Sequence, residues 1–303
     1  MALSRVRLRL PRTADAIGRS LRYARRVSDH RKTLDLDLSR PSSGRVYDYW
    51  LGGSNNYAVD REFAEKQLAR APEIREAVRE NRAFLRRAVR FAAESGIRQF
   101  VDIGSGLPTQ GSVHEIADEV APGASRVVYI DNEPVAHAHA QILLEDTADP
   151  ARHRALAGDF FDGAELWKRV LAEGIDPREP ICLLTVALLH LLPAEQKPET
   201  VLAFYRDQLA PGSLLVLSHA CLDTGDESAQ QAFGQISDDY RSRTSMKGDS
   251  GLRGRSEIAE FFGDFELLDP GLVWLPQWRP DSPFVGDPAR TRAVAGVARK
   301  NPA

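Results

Sequence analysis

Three acids stand in or at the ends of apolar runs, where a carboxylate could meet a small polar ligand. Asp102 lies within Phe100-Val101-Asp102-Ile103, directly ahead of Gly104-Ser105-Gly106. Asp131 and Asn132 close the run Arg126-Val127-Val128-Tyr129-Ile130, and Asp159-Phe160 follow Ala157-Gly158. A glycine turn after a strand lets the backbone approach a ligand closely, and an acid at the end of the next strand can accept both hydroxyls of a ribose. The chemistry implied is nucleoside binding. Two imidazoles complete the reactive set: His190 after Leu188-Leu189, and His219 after Leu214-Leu215-Val216-Leu217-Ser218. Either could serve as a general base near neutral pH or sit as a hydrogen-bonded structural residue.

The glycine spacing selects among nucleosides. A dinucleotide fingerprint places a third glycine five positions after the first, so that a helix N-terminus can receive a pyrophosphate. Thr109 occupies that position, and Asp102 two residues before Gly104 would repel a pyrophosphate. An acid there favours a cationic ligand. S-adenosylmethionine, with a ribose, a sulfonium, an ammonium and no phosphate, fits this pattern; a bare turn is the alternative for the glycine pair taken alone.

These residues need a scaffold that brings strand ends together. The run Pro180 to Ala187 is nearly continuously apolar, as expected of a central parallel strand covered on both faces, and Thr185 near its end joins the cofactor set. With segments at 265–268 and 293–298, the runs predict a seven-stranded, mostly parallel sheet with helices on both faces and an antiparallel last hairpin. Ahead of it, helical spacing over Arg45–Leu51 ends at Gly52-Gly53, Asp60 offers an N-cap for a helix through Leu68, and a helix from Pro72 carries Ile74, Val78, Leu85, Ala88 and Ala92 on one face before Gly96. Tyr47, Tyr49 and Asn56 in this region are expected to close over the ligand as a lid; alternatively, the tyrosines pack the lid onto the domain while Asn55 and Asn56 make the turn. Trp278-Arg279 is expected to help wall the acceptor pocket or to anchor the last hairpin.

The chain resembles the bacterial S-adenosylmethionine-dependent methyltransferase family catalogued as domain of unknown function 574. The resemblance is carried by Pro41 to Gly53, Asn56 to Arg61, Gln99 to Thr109, Val113-His114-Glu115, Val128 to Pro134, Leu189-His190, Pro211-Gly212-Ser213, Ser218-His219, Pro270-Gly271-Leu272 and Trp278-Arg279-Pro280. It spans residues 41 to 298. Trp50 stands where a second leucine is usual and Ser105 where threonine is frequent, and neither change touches a glycine. The resemblance implies a Rossmann-like class I methyltransferase fold and S-adenosylmethionine as cofactor; it implies no acceptor. In that fold class the loop after the fourth strand faces the methyl group, which makes His190 the preferred catalytic base over His219. Asp159 would then lie near the adenine amino group.

Composition agrees with an ordinary enzyme. At 303 residues, 43% hydrophobic and a net charge of −3, the chain can build one large α/β domain. It has no apolar run of about 18 residues and no uninterrupted signal-peptide core, so a cytoplasmic location is expected. Cys182 and Cys221 read as buried thiols, and no metal-ligand spacing appears. Residues 1–32 hold ten Lys or Arg against Asp15 and Asp29. The expected organisation is a basic, disorder-prone arm over 1–40, a helical lid and first sheet-packing helix over 41–97, and the cofactor domain over 98–303. Such an arm could touch nucleic acid or an anionic membrane, but the slightly acidic whole argues against a nucleic-acid partner. The favoured function is methyl transfer to a small-molecule O, N or S nucleophile; the alternative is a non-catalytic S-adenosylmethionine-binding sensor or partner-binding protein. Oligomeric state is not legible.

Overall fold

Strand β1 (Gln99–Ile103) sets the frame on which every other element is placed. In the computed structural model the described residues are 39–107, 111–223, 234–235, 238–239 and 251–302. The basic arm, apart from its last two residues, and Thr109 lie outside them. Parallel partners flank β1: β2 (Arg126–Asp131) on one side and β4 (Ile181–Val186) on the other. The sheet extends to β3 (His153–Ala157) beside β2 and β5 (Leu214–Ala220) beside β4, both parallel. Strand β8 (Ala293–Arg299) then runs antiparallel to β5 and is itself paired antiparallel to the two-residue strands β6 (Glu266–Leu267) and β7 (Val273–Trp274). The order is β3-β2-β1-β4-β5-β8-β6, the expected seven-strand path, with β7 added beside β8.

Pleat parity decides what each strand residue meets, because successive side chains point to opposite faces. Phe100, Cys182, Leu184, Leu214 and Val216 pack on one face beneath α3 (Ile74–Glu94), with Phe84, Leu85, Ala88 and Ala92 of that helix. Val101, Ile103, Leu183, Leu215 and Leu217 face the other layer, formed by α6 (Ala164–Ala172), α7 (Pro198–Asp207) and α8 (Arg255–Glu260), through Leu166, Tyr205, Ile258 and neighbours. Burying each large apolar side chain contributes roughly 1.5–3 kcal/mol, which is why near-continuous apolar runs mark the central strands. On the α3 side, α4 (Val113–Val120) starts at a Ser112–Glu115 capping box, and α5 (Pro134–Thr147) begins with proline in its first turn.

Two helices precede α3: α1 (Ser43–Trp50) and α2 (Ala58–Arg70). They share a small core with the start of α3, made by Val46, Trp50, Phe63, Ala64, Ile74 and Val78. Helix α1 ends where Gly52 takes a positive φ of 82°, as its Gly-Gly stop requires. Asp60 differs from expectation. It is the third residue of α2, and its carboxylate reaches back to the N–H of Tyr57, which holds the N-cap position (2.8 Å). The same carboxylate, fully buried, also accepts from the Ser42 N–H (3.0 Å) and from Arg45 Nε (2.7 Å).

Candidate active site

A cavity of about 510 Å³ opens at the carboxyl ends of β1, β2, β4 and β5, roofed by α1 and the first half of α3. Its position follows from topology: strand order reverses between β1 and β4, which leaves a crevice at the switch point of a doubly wound sheet.

The glycine loop forms one side. Gly104 and Gly106 both hold positive φ values, 73° and 61°. A Cβ on Gly104 would stand 2.6 Å from Leu188 Cδ1, whereas one on Gly106 would meet no atom within 4 Å and would project into open space. The loop is therefore shaped for close approach from the cavity side. Asp131 fastens it, accepting from the Gly106 N–H (2.8 Å) and the Glu133 N–H (2.9 Å). A carboxylate has about four lone-pair sites, so two remain for a pair of ligand hydroxyls. Asn132 donates through Nδ2 to Asp159 (2.9 Å), whose other oxygen accepts from the Phe161 N–H (2.9 Å) and caps the short turn Phe160–Asp162.

Asp102 shares its pleat face with Phe100, so its side chain turns toward α3. Burial pushes its carboxyl up to about 7, opposed by the Arg82 guanidinium on α3. Arg82 also lines the cavity, lies 5.8 Å from the Tyr47 ring centre, and keeps a buried Nε without a partner. The two together offer an anionic and a cationic contact, as an α-amino acid group requires.

On the far side, β4 runs into Ala187, which holds a positive φ of 55° while its N–H donates to Ser218 Oγ (2.9 Å). A non-glycine residue in that region is strained and persists only where neighbours over-determine it. Ser218 points to the α3 face and donates to Asn81 Oδ1 (2.6 Å), and Asn81 Nδ2 donates to the Tyr47 hydroxyl (2.9 Å). Tyr47 in turn donates to the Val78 carbonyl (3.2 Å). One chain of hydrogen bonds thus ties roof to sheet. His219, on the opposite pleat face, is fully buried beside Phe261, with its ring 5.4 Å from that of His190. Burial holds His190 down to about 4 and His219 well below its ordinary value.

The cavity gathers Tyr47, Asp102, Gly104, Ser105, Gly106, Asp131, Asn132, Asp159, Phe160, His190 and His219. Five expected residues lie elsewhere. Thr185 is fully buried on the face it shares with Leu183, so Val186 and Ala187 reach the cavity in its place. Tyr49 turns outward to Glu65 (2.6 Å), and Asn56 holds the α1–α2 turn through Asp48 (3.0 Å) and the Gly53 carbonyl (2.9 Å). Trp278 packs edge-on against Phe84 and Phe91 of α3, Arg87 donates to its carbonyl (2.8 Å), and Arg279 stacks 4.2 Å from the Phe91 centre. The last pair anchors the segment after β7 and does not wall the pocket.

Two solved structures and one family model match the chain. The model described as S-adenosyl methyltransferase matches residues 29–301. The crystal structure of a candidate methyltransferase from Thermobifida fusca YX superposes with a TM-score of 0.79 at 38% identity, covering 88% of this chain and 97% of that one. A DUF574 family protein from Streptomyces avermitilis MA-4680 gives 0.79 at 33% identity, covering 87% and 99%. No curated protein matches the chain. Among the described residues no helix is long and apolar enough to cross a membrane.

Proposed function

Because the chain belongs to the S-adenosyl methyltransferase family, we propose that it moves the methyl group of S-adenosylmethionine to an O, N or S nucleophile of a small molecule held in the same cavity. The observation that carries the small-molecule reading is enclosure: α1 and α3 roof the strand ends, and the space beyond the glycine loop is walled largely by leucines, Pro193 and the two histidines. A pocket of about 300–1,000 Å³ with few polar groups suits a compact ligand. Asp131 is assigned to the ribose, Asp159 to the vicinity of the adenine, Asp102 to the ammonium and Arg82 to the carboxylate of the methionine portion.

When bound, S-adenosylmethionine supplies a methyl carbon already activated by a sulfonium. The chain's own residues then have to align the acceptor and exclude water. The test is transfer of a labelled methyl group from S-adenosylmethionine to compounds in a metabolite extract. Label recovered on small molecules supports the reading, and label found only on protein or nucleic acid would overturn it.

Two further results are expected. In the ligand-free protein Asp102 titrates at about 7, while an ammonium partner favours its ionised form. Binding below that pH must expel a proton, so affinity for S-adenosylmethionine should rise with pH and level off above about 7. At about pH 6 it should be roughly tenfold weaker than on the plateau, the ratio set by one pKa unit. Calorimetry in buffers of differing ionisation enthalpy reads the released proton directly; a flat profile with no proton release would remove Asp102 from this role. Second, if α1 closes the cavity over the cofactor, amide exchange across residues 41–61 should slow on binding. Unchanged exchange there, with binding demonstrated by calorimetry, would mean the roof is rigid from the start.

A further inference from the structure

The two histidines are not equivalent, and their backbone partners say how. His190 Nδ1 lies 3.3 Å from the Ala220 N–H and accepts from it. A neutral imidazole carries one proton, so that of His190 is on Nε2, and the group it presents is a donor. His219 is the reverse. Its Nδ1 lies 2.6 Å from the Ala220 carbonyl oxygen, which can only accept, so the proton is on Nδ1 and Nε2 is left with a lone pair. That nitrogen is fully buried and has no hydrogen-bond partner, so a hydroxyl reaches it only by displacing the side chains that cover it. Ala220 thus sets both tautomers through its own N–H and C=O. The result is one donor and one unused acceptor on adjacent rings lining one cavity.

Resting on the methyltransferase reading above, we infer that the acceptor is a neutral hydroxyl on an apolar frame, held between His190 Nε2–H and His219 Nε2, and that His219 rather than His190 is the base. A hydroxyl is both donor and acceptor and satisfies both nitrogens. A carboxylate or thiolate only accepts and would face the His219 lone pair, and an ammonium only donates and would face the His190 N–H; a neutral amine has a single lone pair, which cannot both accept from His190 and attack the methyl carbon, and a thiol is only a weak donor and acceptor. Leu188, Leu191, Leu192, Pro193 and Leu252 supply the apolar walls for the rest of the molecule.

The step balances. The acceptor oxygen forms its bond to the methyl carbon as the carbon–sulfur bond breaks, and that electron pair stays on sulfur. The hydroxyl proton passes to His219 Nε2 and later to water. One positive charge is present in the site before and after, first on sulfur and then on the imidazolium. Burial and the nearby His190 and Arg253 disfavour a charged His219, whereas the Ala220 carbonyl favours it. Loss of the sulfonium charge in the same step offsets part of that penalty.

The experiment offers labelled S-adenosylmethionine with sets of four acceptors that share one aromatic frame and bear a hydroxyl, an amine, a thiol or a carboxylate. Hydroxyl members should take the label about tenfold faster or more than their frame mates. Equal or faster labelling of another member, or none despite bound cofactor, overturns the inference while S-adenosylmethionine binding stands. Failure to bind S-adenosylmethionine at all would instead remove the reading beneath it. His219→Asn keeps a donor for the Ala220 carbonyl and deletes Nε2. On the best hydroxyl acceptor kcat should fall about 100-fold, with affinity for S-adenosylhomocysteine unchanged, and the loss should shrink on a frame mate whose hydroxyl is acidified enough to be ionised already. Equal loss of cofactor affinity and kcat, or no shrinkage, would make His219 a packing residue. Wild-type kcat should not rise with pH through the ordinary histidine range, since burial holds both imidazoles below it; such a rise would overturn the tautomer argument.

Discussion

Asp60→Ala is expected to detach α1 and α2 from the sheet domain, a loss of about 3–5 kcal/mol in the stability of that unit. Asp60 is fully buried and Arg45 is 2% exposed, and their 2.7 Å contact is the centre of a network that also holds the Ser42 and Tyr57 N–H groups. Arg45 reaches on to Glu133 (3.1 Å) and the Arg40 carbonyl (2.9 Å), and Ser42 donates to Glu133 as well. Removing one carboxylate leaves a buried guanidinium short of a partner and two backbone donors unpaired. Amide exchange across residues 41–61 should become fast while β1, β4 and β5 stay protected. The double variant Arg45→Met/Asp60→Leu tests the cause: it removes the stranded guanidinium but leaves the Ser42 and Tyr57 N–H groups unpaired and Glu133 without Arg45, so only the part of the loss due to the stranded guanidinium should return. If the double variant is as damaged as the single one, the ion pair is not what holds the roof.

The same network explains why the roof and the cofactor side should respond together. Glu133 is two residues beyond Asp131, and its N–H is one of the two that Asp131 accepts. A Cβ on Gly44 of α1 would lie 3.7 Å from both Glu133 Oε2 and Gly106 Cα, so the roof helix sits directly on the glycine loop. A shift of α1 is therefore felt at the loop without any change in β1 or β2. Helix α1 is held at one end by charge and at its centre by Tyr47 through Asn81 and Ser218.

Much of this site could be read from sequence because its signals are local. An apolar run, a glycine turn and an acid at the next run's end fall within about thirty residues and stand as Gly104, Gly106 and Asp131 around one cavity, joined by Asp159 from the run after that. Asp60 was displaced by a small error of helix phase: α2 begins at Ala58, so the acid serves the first turn from inside it. Parity would have corrected Thr185, since a residue two beyond Leu183 must share its face. Trp278 depends on an α3 partner almost two hundred positions away, which no local pattern encodes. Asn81 is the instructive omission. It lies three residues after Val78 and four before Leu85, on the apolar stripe of α3, and a polar residue on such a stripe calls for a partner across the interface. The division of labour between His190 and His219 has no sequence signal, because it is set by the two backbone groups of Ala220.

Asp131→Ala is expected to weaken S-adenosylmethionine binding by about 100-fold or more. Charge-assisted hydrogen bonds contribute about 1.5–3 kcal/mol each, and this one side chain supports both sides of the pocket. It accepts from the Gly106 and Glu133 N–H groups and, on the assignment above, from the ribose as well. The alanine variant therefore loses the ligand contact and the brace that holds the glycine loop against the end of β2. Asp131→Asn separates the two losses. Its carbonyl oxygen can keep one N–H, but its NH₂ group must face the other, so the loop should loosen even where the side-chain shape is retained. Calorimetry with S-adenosylhomocysteine gives the affinities, and titration with adenosine, which has the ribose but neither methionine charge, isolates the part carried by Asp131. Adenosine binding should fall by nearly the same factor as binding of the full cofactor. If adenosine affinity is untouched while the full cofactor is weakened, Asp131 acts through the loop alone and the ribose is held elsewhere.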